Sequence, residues 1–162
     1  MQSPSDRKFR LVRRALPSDT DALRLLIPRL VAFGPPPWRD AKGMTETDLE
    51  VISRALRAEG SNPIVYVAEG EAGDLAGFIH LHSATDYYRR RDHGHVADIV
   101  VAQAYEGQGL ATALLAKAEE WARAQGFDWL TISVFEANGR AAGLYERLGF
   151  GRDIVRLVKP LT

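Results

Sequence analysis

The chain contains no cysteine. Disulfide frameworks, zinc–thiolate sites and every cysteine-nucleophile mechanism are thereby excluded. It also carries no net charge, because 21 Lys and Arg balance 21 Asp and Glu. Non-specific nucleic-acid binding draws on a basic surplus, so no nucleic-acid partner is expected. No run of about 18 apolar residues, the minimum for a membrane-spanning helix, occurs anywhere, and the opening MQSPSDRKFR is polar rather than leader-like. The chain therefore reads as cytoplasmic, with no membrane partner. Internal repeats and low-complexity runs are missing too. What remains is 162 residues with 46% apolar and 26% charged side chains, ordinary globular composition. A chain near this length buries ~70% of its unfolded surface without a covalent staple. The expected organisation is a polar tail at 1–8 followed by one domain over 9–162.

Residues 9–15 read as a first strand. Ser18 with Asp21 has capping-box spacing, and Leu23, Ile27 and Leu30 follow at helical spacing until Pro28 kinks or ends the helix. Phe33-Gly-Pro-Pro-Pro-Trp38 forms a stiff loop, either a rigid connector or, if the scaffold aims it, a substrate-facing wall. A second helix is expected from Thr45, with Asp48 three residues on, through Leu49, Ile52 and Leu56 to Gly60. Strands are expected at 64–69, 75–83, 95–102, 129–135 and 154–159, and helices at 110–125 and from Asn138 to Leu148. Strands and helices in this order mix hairpin and crossover connections, which makes the class α/β.

The densest signal is VVAQAYEGQGLATALL. A buried strand enters a loop holding Gly107 and Gly109, and the loop runs straight into a helix. Glycines let backbone amides approach a ligand, and a helix start offers unpaired N–H groups with a partial positive charge. The combination suits an anion, most naturally phosphate. It is neither the dinucleotide fingerprint, which needs a glycine where Thr112 stands, nor the P-loop, because Leu110 follows Gly109. A plain strand-to-helix turn has the same spelling. Further on, Asn138 opens a helix and Tyr145 lies two turns along the same face. Taken singly, a helix cap and a core tyrosine explain both.

Taken together, these segments resemble the GNAT superfamily of acetyl-CoA-dependent N-acetyltransferases. Its first signature, Arg/Gln-x-x-Gly-x-Gly/Ala opening a long helix, appears as Glu106-Gly107-Gln108-Gly109-Leu110-Ala111. Its second appears as Asn138, Ala141, Ala142, Tyr145, Gly149 and Phe150. The resemblance runs from about Phe9 to the end. It implies a mixed, mostly antiparallel sheet of about six to seven strands flanked by about four helices and splayed near the fourth strand. It also implies that coenzyme A pyrophosphate rests on the amides of Glu106, Gly107, Gln108, Gly109, Leu110, Ala111 and Thr112. The pantetheine arm would pair with Ile99, Val100 and Val101, Asn138 would contact that arm, and Tyr145 would protonate the departing thiolate. Glu106 departs from the pattern by setting an acid beside the pyrophosphate.

Acetyl transfer to an amine needs the amine unprotonated. At pH 7 a primary amine is neutral about one part in a thousand, a penalty of ~4 kcal/mol unless a base takes the proton. The base candidates are His95 and Asp98 on the fourth strand, which strict alternation sets on opposite faces. His80 and His82, with His93 and His95, repeat a His-x-His spacing that could share an ion. No carboxylate ligand set accompanies them, so no metal is expected. Residues 86–92, Asp-Tyr-Tyr-Arg-Arg-Arg-Asp, read as a solvated charge run or as a lid over the acceptor. The expected partner is a small-molecule amine, with direct attack and no covalent intermediate. A protein or peptide N-terminal or lysine acetyltransferase is the alternative within the class; Ser133, where such enzymes carry Glu, counts against the N-terminal form. A non-catalytic acyl-CoA-binding module is the alternative outside it. A homodimer is left open, since no segment spells an interface.

Overall fold

The computed structural model describes residues 9–161. In chain order these form β1 (Phe9–Arg14), α1 (Thr20–Leu26), α2 (Ala41–Arg57), β2 (Ile64–Gly70), β3 (Leu75–Thr85), β4 (Asp92–Val101), α3 (Leu110–Ala124), β5 (Leu130–Ile132) and α4 (Gly139–Arg147). Short 3₁₀ turns flank α1 and precede α3. The strands make one sheet in the order β1-β2-β3-β4-β5. All pairs are antiparallel except β4 with β5, which run parallel.

Two hydrophobic layers cover the two sheet faces. Alternation along β3 sends Phe78 one way and Ile79 and Leu81 the other. Phe78 joins Leu23 of α1, Ile52 of α2 and Val100 of β4. Ile79 and Leu81 pack with Val96 of β4 and with Leu114, Ala118 and Trp121 of α3. At Gly77 a side chain would drive into the Val100 carbonyl, so glycine is what lets β3 lie flat against the end of β4.

The helix boundaries differ from the sequence reading for local reasons. Asp19 takes the capping role expected of Ser18 and Asp21, accepting from the Leu16 amide at 2.8 Å while it pairs with Arg13. Pro28 lacks the amide that an α-helix needs, and the chain continues from α1 as a 3₁₀ turn at Ile27–Val31. α2 starts four residues before Thr45, because Asp40 caps it by accepting from the Gly43 amide at 2.7 Å.

Three strand expectations are corrected. β5 is three residues long, since only Gly94, His95 and Val96 pair with it before it leaves β4. Residues 154–159 form no strand. They are rich in β-branched and apolar residues, but a strand exists only by bonding to a neighbour, and residues 151–161 lie exposed and join no strand. Among the described residues the sheet thus has five strands rather than six or seven. Lastly, β4 carries a bulge. His80 pairs with Asp98 and Leu81 with Val96, which leaves Ala97 as an extra residue. His95 and Asp98 therefore share a face instead of occupying opposite ones.

Candidate active site

Where β5 parts from β4 a cleft of about 720 Å³ opens. α2 contributes Gly43, Met44, Thr47 and Asp48, successive residues of one helical face. β4 contributes Ala97, Asp98 and Ile99, and the chain leaving β5 contributes Ser133, Val134 and Phe135. Asn138 and Tyr145 of the α4 segment complete the wall. The proline-rich loop faces this space as well. Phe33 stacks on Phe135 with ring centroids 4.8 Å apart, the Arg39 guanidinium lies 5.5 Å from the same ring, and Trp38 lines the cleft.

Of the two base candidates, Asp98 lines the cleft and His95 does not. Asp98 Oδ2 lies 2.9 Å from Nδ1 of His80, a side chain only 2% exposed. His95 packs 5.2 Å from the His82 ring with its Nδ1 2.8 Å from Thr131 Oγ1. Burial, reinforced by His82 and His93, holds the His95 pKa down at about 4. It is a neutral, packed histidine that lies off the cleft wall. Asp48 faces Asp98 across the cleft. Desolvation, with the Asp98 charge adding and His80 opposing, pushes its carboxyl up to about 6. Tyr145 is buried, which raises its phenol above the ordinary value. Asn138 spends its side-chain oxygen on capping α4, accepting from the Ala141 amide at 3.3 Å. Among the described residues, no group of three or more His, Asp or Glu is arranged to hold a metal ion.

Below the cleft, Gly107 (φ 73°) and Gly109 (φ 78°) adopt the left-handed conformation that makes the turn into α3. The bond from the Ala113 amide to the Gly109 carbonyl, 3.0 Å, closes the first helical turn. It leaves the amides of Leu110, Ala111 and Thr112 at the helix start without intrahelical partners. Glu106 is not an isolated acid. It lies 2.8 Å from Arg140 and 2.6 Å from Arg29, and Arg140 first, with Arg29, holds its carboxyl below the usual range. Arg29 also donates from Nε to the Val101 carbonyl at 2.9 Å. Two guanidiniums and a helix start thus surround this turn, a donor set that fits a pyrophosphate. Val100 turns its side chain into the core, while Ile99 lines the cleft.

The family model described as the Acetyltransferase (GNAT) family matches residues 29–150. The chain belongs to this family. It is 34% identical over 92 residues to a streptothricin acetyltransferase of Streptomyces lavendulae, covering 57% of this chain and 47% of that protein. The chain thus spans about half the length of the curated relative it matches. Among solved structures, a mutant of the BH1408 protein from Bacillus halodurans superposes with TM-score 0.75 at 17% identity, over 94% of this chain and 100% of that one. AAC(6')-Iy, solved with the bisubstrate analogue CoA-S-monomethyl-acetylneamine, does so with TM-score 0.69 at 19% identity, over 94% and 98%. At these identities the structures establish the shared GNAT fold. Among the described residues, no helix is long and apolar enough to cross a membrane.

Two site residues, Arg29 and Arg140, lay outside the sequence reading, and two, Asp48 and His80, were legible there without their partners. Asp48 was legible only as helix-start chemistry, yet it sits on the cleft face with Met44, four residues earlier. His80 was visible as half of a His-x-His pair, but its partner Asp98 is eighteen residues on. Arg29 and Arg140 lie 77 and 34 residues from Glu106, and no local pattern links them to it.

Proposed function

We propose that this GNAT-family chain transfers the acetyl group of acetyl-CoA to a primary amine of a small molecule by direct attack, without a covalent enzyme intermediate. One observation carries the reading: a single cleft, at the parting of β4 and β5, gathers Asp98, Asp48 and Tyr145, and its lining residue Arg29 pairs with Glu106 at the start of the glycine turn. The amides of Leu110, Ala111 and Thr112 hold the pyrophosphate, with Arg140 and Arg29 close by. The backbone around Ile99, Val100 and Val101, beyond the point where β5 leaves, receives the pantetheine arm, with the Val101 carbonyl already held by Arg29, and Asn138 borders it. When bound, the cofactor supplies the activated acetyl thioester.

Asp98 takes the proton from the acceptor ammonium. His80, bonded to it, orients the carboxylate and stabilises the proton it receives. Asp98 is preferred to His95, the first-ranked candidate from the sequence, because Asp98 lines the cleft and His95 lies off it. Tyr145 returns a proton to the sulfur that leaves. Burial favours its protonated form, which suits a general acid. Asp48 faces the incoming amine as a second carboxylate, and Trp38 and Phe135 offer aromatic surface to an organic cation. Carboxylates together with aromatic walls suit a compact cationic molecule. The names of two similar proteins, a streptothricin acetyltransferase and an AAC(6') solved with an acetylneamine conjugate, agree with that class.

Calorimetric titration with acetyl-CoA, paired with a free-thiol assay over a panel of amines, tests the proposal. Binding of the thioester and turnover with at least one small cationic amine are expected. Asp98→Asn should keep the binding and lower kcat by roughly a hundredfold to ten-thousandfold, the usual worth of a positioned base. No acetyl-CoA binding at millimolar levels refutes the activity; unchanged kcat in Asp98→Asn refutes the role of Asp98.

A further inference from the structure

The charged side chains that line the cleft are Arg29, Arg39, Asp40, Asp48 and Asp98. Arg29 is bound to Glu106 and to the Val101 carbonyl, Asp98 to His80, and Asp40 to the amides that open α2. Asp48 faces Asp98. Arg39 differs from all of them. Among the described residues its guanidinium has no ion pair and no hydrogen bond, and it rests 5.5 Å from the centre of the Phe135 ring.

The placement of Arg39 is built rather than incidental. Its amide donates to the Pro36 carbonyl at 2.9 Å, so the proline-rich loop sets its backbone. The ring beside it is itself stacked on Phe33. A guanidinium drawn to an aromatic face keeps its fork of N–H donors for a planar anion. The cleft therefore has two ends of opposite sign. Arg39 stands just before the start of α2, and Asp48 lies about 12 Å further along that helix, at roughly 1.5 Å per residue. Charge also selects the anion. Three aspartates line the cleft against this one unpaired cation, so a singly charged carboxylate is admitted where a doubly charged phosphate is repelled.

We propose that Arg39 is a specificity-determining residue that holds a carboxylate of the acceptor, and that the acceptor carries its reacting amine at the opposite end. The inference rests on the acetyl transfer proposed above and narrows its substrate class. The ammonium end lies at Asp48 and Asp98, and the carboxylate end lies on the Arg39 fork. An ω-amino acid, or an amino acid with a remote side-chain amine, has this form. An α-amino group beside its own carboxylate is too close to reach both ends.

The test compares ε-aminocaproate with its neutral amide in the free-thiol assay at saturating acetyl-CoA. The two probes differ only in the carboxylate. In the native chain KM for the amide should exceed KM for the acid by about tenfold or more, the worth of one charge-assisted hydrogen bond. In Arg39→Gln the ratio should fall to about one. In Arg39→Lys it should lie between, since lysine keeps the charge and loses the fork. A purely structural loss would move both probes alike and leave the ratio in place. Glycine should gain nothing over glycinamide, and aminopentylphosphonate should do no better than the amide. A native ratio near one overturns the proposal, and so does a ratio that survives in Arg39→Gln. A phosphonate preferred over the carboxylate, or a gain for glycine equal to that of ε-aminocaproate, overturns it as well. Weaker acetyl-CoA binding in Arg39→Gln with the ratio unchanged would assign Arg39 to the cofactor instead. Turnover of other amines but of neither caproate probe removes this inference alone, whereas no turnover of any amine removes the acetyltransferase reading with it.

Discussion

Replacing Asp48 with Asn should make the protein more stable and a poorer catalyst. The Asp48 carboxyl is raised from its ordinary 3.8 to about 6, mainly by desolvation. In the folded state the charged form is disfavoured, so the penalty is absent below pH ~4, grows as pH rises, and is complete above pH ~6. A shift of about two units corresponds to roughly 3 kcal/mol at 1.36 kcal/mol per unit. Asp48 is only half buried, so solvent screening leaves about 1–2 kcal/mol. Asn keeps the shape and never ionises. Thermal unfolding followed by circular dichroism should therefore show the variant matching the parent at pH 4 and melting higher at pH 8. The expected gain is about 2–8 °C, from the usual 2–4 °C per kcal/mol in a chain of this size. His95 contributes the opposite slope: its pKa is held down at about 4, so stability is lost as pH falls from about 6.5 toward 4. That contribution is common to both proteins and cancels in their difference. In the thiol-release assay the same variant should raise KM for the amine roughly tenfold, a loss of ~1.4 kcal/mol of binding. Stability curves that stay parallel from pH 4 to 8 would show that Asp48 is not penalised in the fold, and the argument for its burial and for its facing Asp98 would fall.

Tyr145→Phe should leave acetyl-CoA binding intact by calorimetry and lower kcat by roughly a hundredfold to ten-thousandfold, as removal of a general acid does; an unchanged kcat would take Tyr145 out of the mechanism. Glu106→Gln should weaken the junction between the end of β4, the turn after α1 and α4. Two partly exposed ion pairs are worth together about 0.5–2 kcal/mol, so melting at pH 7 should drop by a few degrees, and the drop should shrink in high salt. Because its partners hold the Glu106 carboxyl below the usual range, that contribution is present above the ordinary glutamate pKa and fades as pH falls through the lowered one. A difference that persists at molar salt would refute the ion-pair account.

The order of elements was legible because each strand and helix announces itself locally. Leu110, Leu114, Ala118 and Trp121 form one stripe, and they are the buried face of α3. The glycine turn and the Asn138 cap were legible for the same reason, since positive φ and capping leave residue-level marks. Pairings between distant segments were not. Nothing near Glu106 names Arg29 or Arg140, so the acid looked like a flaw in an anion site rather than the centre of an ion triad. Residues 154–159 show the converse failure. Their pattern is that of a strand, but pattern states only a capacity to pair, and the partner is a matter of topology.

The bulge at Ala97 shows why strict alternation put Asp98 on the wrong face. In an unbroken ladder Asp98 would share a face with Val96, whose side chain is 1% exposed and packs in the layer with Leu114 and Trp121. A carboxylate driven into that layer without a partner would cost several kcal/mol. One extra residue removes the conflict: Val96 stays in the α3 layer, and Asp98 turns to the other face, where His80 meets it. The same residue marks where β5 departs, since Val96 with Ile132 is the last pair between the two strands. A bulge disrupts the ladder locally and bends its strand, so the parting of β4 from β5 and the aim of Asp98 have one cause. The position that opens the cleft is the position that points a carboxylate into it.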